Sequence, residues 1–323
     1  MQRVVVLGSS GRDLTVRLPR LPAVGETCLG GALESGPGGK GANAAVAARL
    51  AGAEVVFITA YGDDHFGRLA RADNDRMGLD LSNARTFDST PNQLALIFVD
   101  AQGCNQIGVA PGASARLEPA DIDALPASLF RPGDVLLACL ELSLETIARG
   151  LDRAHRAGMT TILNPAPADT GIHDVGVRPH VDILTPNQEE LRLLTGLPAG
   201  TINEAAHAAR SLTDIGWNKL VVTLGDSGCL LVAPEQVQHL PAYEVSAIDT
   251  VGAGDAFNGA LAAALAEGRT LVESARWANV AAALATTRSG AQAGLPSRAE
   301  IDRCDHRVDN RPLEIPHDAH TIA

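Results

Sequence analysis

The sequence predicts an α/β fold: a doubly wound, mostly parallel sheet flanked by helices, with a small β-sheet lid. Three observations carry this. Short apolar runs alternate with helical stretches along most of the chain, the pattern of a parallel sheet covered on both faces. Two segments of β-like composition break that rhythm. With 323 residues and 46% hydrophobic content, the chain can also bury a full core.

Strands are predicted at residues 4–7, 55–60, 135–140, 160–163, 182–185 and 220–224, each short and apolar. A strand buried on both faces reads in this way. Between them, residues 42–51, 143–156, 188–195 and 203–215 read as helices, as does the Ala- and Leu-rich run 255–266. The breaks in rhythm are 27–35 and the pair 93–99 and 106–110, joined around Gln102-Gly103; they predict strands of a separate small sheet. The expected division is an α/β core at 1–13, 36–92 and 111–301, and a lid at 14–35 and 93–110. Residues 302–323 are polar and proline-punctuated, and read as a poorly fixed tail.

Composition narrows the function classes. A formal charge of −12 argues against a sequence-independent grip on nucleic acid or on an anionic membrane. No apolar run approaches the length needed to span a bilayer, and 4–7 is too short for a signal-peptide core. Five cysteines are scattered without a Cys-x-x-Cys spacing, which fits thiols in a reducing compartment and a cytoplasmic location. The nine histidines form no metalloprotease motif; His317 and His320 fall in the polar tail.

The stretch Asp249-Thr250-Val251-Gly252-Ala253-Gly254-Asp255 carries the most chemistry. Gly252, Ala253 and Gly254 let a ligand approach the main chain at a helix start, where free N–H groups and the helix dipole favour an anion. Asp255 lies in the first turn, placed to take a proton from a hydroxyl beside that anion. Anion hole plus base is what phosphoryl transfer to an alcohol requires. The residues alone leave a structural alternative open, in which Asp255 caps the helix and the glycines only make the turn.

A second cluster, Gly36-Pro37-Gly38-Gly39-Lys40-Gly41-Ala42-Asn43, reads as a tight turn feeding a helix and brings a cation and an amide. It is not a Walker A loop, because Gly41 follows Lys40 where Ser or Thr is required. Gly39-x-Gly41-x-x-Ala44 fits a loose dinucleotide fingerprint, although 27–35 is a poor buried parallel strand to precede one. Asp13, Glu141, Asn164, Asn187 and Thr223 all fall at or just past the C-terminal ends of predicted strands, where open α/β sheets bind ligands.

In this order, the two glycine clusters resemble those of the ribokinase-like, pfkB-type family of carbohydrate kinases. The likeness runs over roughly residues 3 to 300. It includes Leu7-Gly8-Ser9 through Asp13, Ala95 to Val99, Asn164-Pro165-Ala166-Pro167, Thr185 to Glu190, Thr223-Leu224-Gly225, Phe257-Asn258-Gly259 and Thr287 to Gln292. The resemblance implies an ATP- and Mg²⁺-dependent kinase acting on the primary 5-hydroxyl of D-ribose or a similar pentose. Asp255 would be its general base, and Gly252, Ala253 and Gly254 its anion hole. It implies sugar contacts from Asp13, Gly39, Lys40, Asn43 and Glu141, and nucleotide-side roles for Asn187, Thr223, Gly225, Gly228 and Asn279. Asn187 and Glu190, as Asn-x-x-Glu, would hold Mg²⁺ through water. Asp249 with the carbonyls of Val251, Ala285, Arg288 and Gly290 would bind an activating K⁺. Family members often form homodimers through the lid.

Three departures bear on the acceptor and the cation. Gly11 stands where the family pattern has Asn, and Arg12 follows it, facing either solvent or an anionic acceptor. Gly294 replaces a frequent serine hydroxyl at the cation site, and Pro91-Asn92-Gln93 replaces small residues before the lid strand. Alternatives within the family are 2-deoxyribose, a sugar acid or sugar phosphate, and a nucleoside, the last disfavoured by 3% aromatic content. Outside it stand a nicotinamide dehydrogenase and a non-catalytic sugar sensor.

Overall fold

A computed structural model describes residues 2–305 and 313–314. β1 (Val4–Leu7) is wholly buried, so both its faces must be covered. Val4 and Val6 pack into one apolar cluster, Val5 and Leu7 into another on the opposite face. β1 pairs in parallel with β4 (Val55–Ile58) and with β9 (Val135–Cys139). The parallel ladder continues through β10 (Thr160–Asn164), β11 (Ile183–Leu184) and β12 (Lys219–Thr223). β13 (Cys229–Ala233), β14 (Gln236–Leu240) and β15 (Leu313–Glu314) complete a nine-stranded sheet in antiparallel fashion.

α1 (Lys40–Leu50), α7 (Ala253–Ala266), α8 (Leu271–Ala285) and α9 (Arg298–Asp305) cover one face. α3 (Pro119–Asp123), α4 (Leu144–Arg156), α5 (Gln188–Thr195) and α6 (Ile202–Asp214) cover the other. The chain leaves β1 for β4 on one side and later returns to β9 on the other, so the strand order switches direction between β1 and β9. A crevice forms at such a point, outside the strand C-termini. α1 and α7 meet there at close range. Gly259 makes this possible, since a Cβ on it would lie 2.5 Å from the Ala44 carbonyl oxygen. Two Ala-rich helices thus present their N-termini together.

A separate four-stranded sheet runs in the order β3 (Leu33–Gly38), β2 (Gly11–Arg17), β7 (Gln93–Val99), β8 (Asn105–Ala110). A third, two-stranded sheet pairs β5 (Ala60–Gly62) with β6 (Arg85–Phe87), and α2 (His65–Arg76) packs between β5 and β2.

Several expectations are corrected. The strand at 55–60 ends at Ile58, whose partner Leu7 is the last residue of β1; with nothing further to pair, the chain turns into β5. The strand at 27–35 begins only at Leu33, because its antiparallel register with β2 runs from Val16–Leu33 to Gly11–Gly38. Gly36-Pro37-Gly38, expected as a turn, is therefore strand. Pro37 is tolerated because β3 is an edge strand. Asp13 likewise lies within β2, not at the end of a strand of the large sheet. Of the expected tail, residues 302–305 belong to α9 and Leu313–Glu314 form β15; the rest of 302–323 lies outside the described residues.

Candidate active site

Gly252 caps α7 with φ 80°, a left-handed conformation that glycine adopts without strain, and no side chain caps the helix. A Cβ there would also meet the Ala291 carbonyl oxygen at 2.8 Å. The helix start is therefore left open to a ligand. Gly252 and Gly254 line a cleft of about 200 Å³ together with Lys40, Asn187, Glu190, Thr223 and Asp255. Ala253 is not among its lining residues; its N–H closes the turn on the Thr250 carbonyl at 3.2 Å. Of the three residues expected to form the anion hole, Gly252 and Gly254 thus line the cleft.

Asp255 is buried, and its Oδ2 accepts from Asn43 Nδ2 at 2.9 Å. Gln292 fixes that amide by donating to Asn43 Oδ1 at 3.0 Å. Burial raises the Asp255 pKa; Lys40 and then the Asn43 hydrogen bond pull it down, and Glu141 pushes it up again. Lys40 is no solvated surface cation. The Asp255 carboxylate raises its pKa against the cost of burial, so it stays protonated.

Glu141 follows β9 and faces the α1 start. Its Oε2 accepts from the Lys40 backbone N–H at 2.9 Å, from Gln93 Nε2 at 3.3 Å and from the Ser9 hydroxyl. Asp13 feels the same cluster: burial first, then Glu141 and Asp255, lift its pKa to about 7. Gly39 immediately precedes α1 as its N-cap. Arg12 does not face solvent. It is buried and ion-paired with Asp73 of α2, and its Nη2 donates to Ser35 Oγ at 3.1 Å.

Asn187 and Glu190 form a reciprocal capping box on α5, each side chain accepting the other's backbone N–H at 2.8 Å. Asn187 also bridges to Thr223, which brings the ends of β11 and β12 to one place. Glu190 Oε2 serves the cap while the residue also lines the cleft; burial raises the pKa of this carboxyl. That donor set suits a Mg²⁺ ion that keeps most of its own waters. Gly225 and Gly228 form the tight turn between β12 and β13, with φ of 60° and 90°. Asn279, like Gly225 and Gly228, is not among the residues lining the cleft; it is buried in α8, with Nδ2 3.4 Å from the Leu240 carbonyl oxygen.

Three of the predicted cation residues, Ala285, Arg288 and Gly290, converge at Gly294. A Cβ there would lie 2.8 Å from the Ala285 carbonyl oxygen, 3.0 Å from that of Gly290 and 3.2 Å from that of Arg288. Asp249 Oδ2 accepts from the Gly290 N–H at 2.9 Å, and its Oδ1 from the Val251 N–H at 3.0 Å. Partial burial would raise its pKa, but these bonds overcome that and lower it, so the carboxylate stays ionised beside the carbonyls. Three convergent carbonyls and a nearby carboxylate suit a hard cation.

Sequence reasoning passed through Ser9, Gln93 and Asn258 within larger segments but gave none of them a role of its own. Asn258 Nδ2 donates to the Gly254 carbonyl at 2.9 Å and its Oδ1 accepts from Thr185 Oγ1 at 2.6 Å, tying the first turn of α7 to the end of β11. Its place one turn after Asp255 was the available signal.

The description "pfkB family carbohydrate kinase" matches residues 1–298. The chain is 36% identical to a deoxyribokinase of Salmonella typhi over 91% of its length and 95% of the relative's. It is 36% identical to a ribokinase of Bacillus subtilis, over 94% and 99%. Its fold is similar to that of an Arabidopsis thaliana ribokinase complexed with ribose and ATP, with TM-score 0.82 and 26% identity, covering 94% of this chain and 99% of that one. The chain belongs to the pfkB family of carbohydrate kinases, and within it is a ribokinase-like sugar kinase, a phosphotransferase with an alcohol group as acceptor.

Proposed function

We propose that the chain transfers the γ-phosphoryl group of ATP to the primary 5-hydroxyl of a pentose, with D-ribose the leading acceptor. The observation that carries this is the pairing of an uncapped α7 N-terminus with buried Asp255 in its first turn, both on the cleft that Lys40 enters. Asp255 takes the hydroxyl proton as that oxygen bonds to the γ-phosphorus and the bond to ADP breaks. The α7 dipole and the backbone N–H groups at Gly252 and Gly254 stabilise the charge that develops on the phosphoryl oxygens. Lys40 adds positive charge on the same side.

On this reading Asp13, Gly39, Lys40, Asn43 and Glu141 hold the sugar, with the small sheet as lid. Asn187, Thr223, Gly225 and Gly228 line the nucleotide side. Glu190 and Asn187 would hold Mg²⁺ through water, where it neutralises phosphate charge. Asp249 and the carbonyls around Gly294 would hold K⁺ behind the α7 turn. Leu33, Leu96 and Phe98 are exposed on one face of the small sheet, which supports a homodimer formed through it.

2-Deoxyribose is a second reading, favoured by the bare Gly11 and by the likeness to a deoxyribokinase. The deciding experiment is a coupled ADP-release screen over pentoses, hexoses, sugar acids and nucleosides. Turnover of D-ribose or deoxyribose is expected; brisk turnover only outside the pentoses would overturn the reading.

A further inference from the structure

Gln93 opens β7 and is 3% exposed. Its Nε2 donates to Glu141 Oε2 at 3.3 Å, while its Oε1 has no hydrogen-bond partner. Glu141 fixes the orientation of the amide: its Oε2 is an acceptor, taking the Lys40 N–H and the Ser9 hydroxyl as well, so the NH₂ end faces it and the oxygen points elsewhere. Buried polar atoms in native proteins are nearly always satisfied, so an unpaired amide oxygen calls for a donor from outside the chain.

The backbone shows where that donor lies. Gln93 is the cross-strand partner of Gly11, and Asp13 is the partner of Ala95. Directly opposed residues share a face, and residues two apart along a strand share it too. Gly11, Asp13, Gln93 and Ala95 therefore lie on one face, the one from which Gln93 reaches Glu141. A Cβ built on Gly11 would lie 3.1 Å from Gln93 Cγ and 2.9 Å from the Gln93 carbonyl oxygen. The glutamine side chain thus fills the room that a side chain at position 11 would need. An amide absent from β2 is supplied across the ladder by β7.

We propose that Gln93 determines acceptor specificity, its Oε1 accepting a hydrogen bond from one secondary or anomeric hydroxyl of the sugar. This rests on the pentose kinase reading above. The test is a cycle of enzyme variant against substrate. kcat/KM is measured for D-ribose and for its 1-, 2- and 3-deoxy analogues, in the wild type and in Gln93→Met, which keeps length and loses both polar atoms.

In the wild type, removing the hydroxyl that Gln93 reads costs about two- to tenfold. In Gln93→Met that one penalty vanishes, while those for the other hydroxyls persist and KM for ATP is unchanged. Gln93→Leu is the second variant, and thermal melting checks that both fold. Brisk wild-type turnover with all analogues weakened by one common factor would overturn the role of Gln93 alone. Failure of both variants to fold would make Gln93 a structural residue and likewise overturn it. No wild-type turnover on any pentose would overturn the pentose reading itself, and this inference with it.

Discussion

Around Asp255, single charges decide when the base can act. A base works only when ionised, so turnover should fall as pH drops through its pKa, which burial holds above the usual carboxylate range. Lys40 is the strongest influence lowering that pKa. Lys40→Met should therefore move the acid limb of the kcat–pH profile to higher pH, whatever it does to the maximal rate; an unmoved limb would separate Lys40 from the base. Asp255→Asn keeps the shape and should lower kcat by about 10²–10⁴-fold with nucleotide affinity nearly unchanged. Near-wild-type turnover would remove Asp255 from the role. Asp13 makes a stability prediction. Its folded pKa of about 7 lies above its ordinary 3.8, so the stability gained from protonating it is full below 3.8 and lost as pH rises through about 7. Asp13→Asn should flatten that decline and melt higher than wild type at alkaline pH, as scanning calorimetry would read.

At the scale of elements, α5 does two things with one residue. Glu190 closes a capping box that Gln can also close, so Glu190→Gln should leave thermal stability nearly unaltered. The same change removes the charge facing the cleft, and should raise the Mg²⁺ needed for half-maximal rate. A Mg²⁺ titration that superimposes on wild type would leave Glu190 as a cap alone. α1 and α7 depend on contact between backbones. Gly259→Leu forces a side chain against the Ala44 carbonyl and should cost about 1–3 kcal/mol or more. A melting temperature equal to wild type would mean that this contact yields easily.

For the molecule as a whole, the small sheet leaves apolar side chains exposed, Leu33 at 63%, Leu96 at 51% and Phe98 at 37%. These three side chains share one face of the sheet; such a patch is expected to be covered by a second copy, so the wild type should sediment as a dimer and Leu33→Asp with Leu96→Asp as a monomer. A wild-type monomer at micromolar concentration would exclude the lid dimer. Among the described residues, no helix is long and apolar enough to cross a membrane.

Much of this was legible in the chain because local chemistry fixed it. β1 and β9 are apolar runs that only a doubly covered sheet can bury, and Asn187-x-x-Glu190 specifies its own helix start. The two glycine clusters announced helix N-termini open to a ligand. Tertiary structure decided whatever depends on partners distant in sequence. Arg12 was readable only as a loose cation until α2 brought Asp73 against it. Asp13 was assigned to a strand end until antiparallel pairing drew it into the small sheet. Gly11 read as a lost contact, yet the space it leaves is filled by a residue of another strand. Ladder register and helix packing are set by cross-strand fit and by burial summed over the whole core, and no local pattern encodes either.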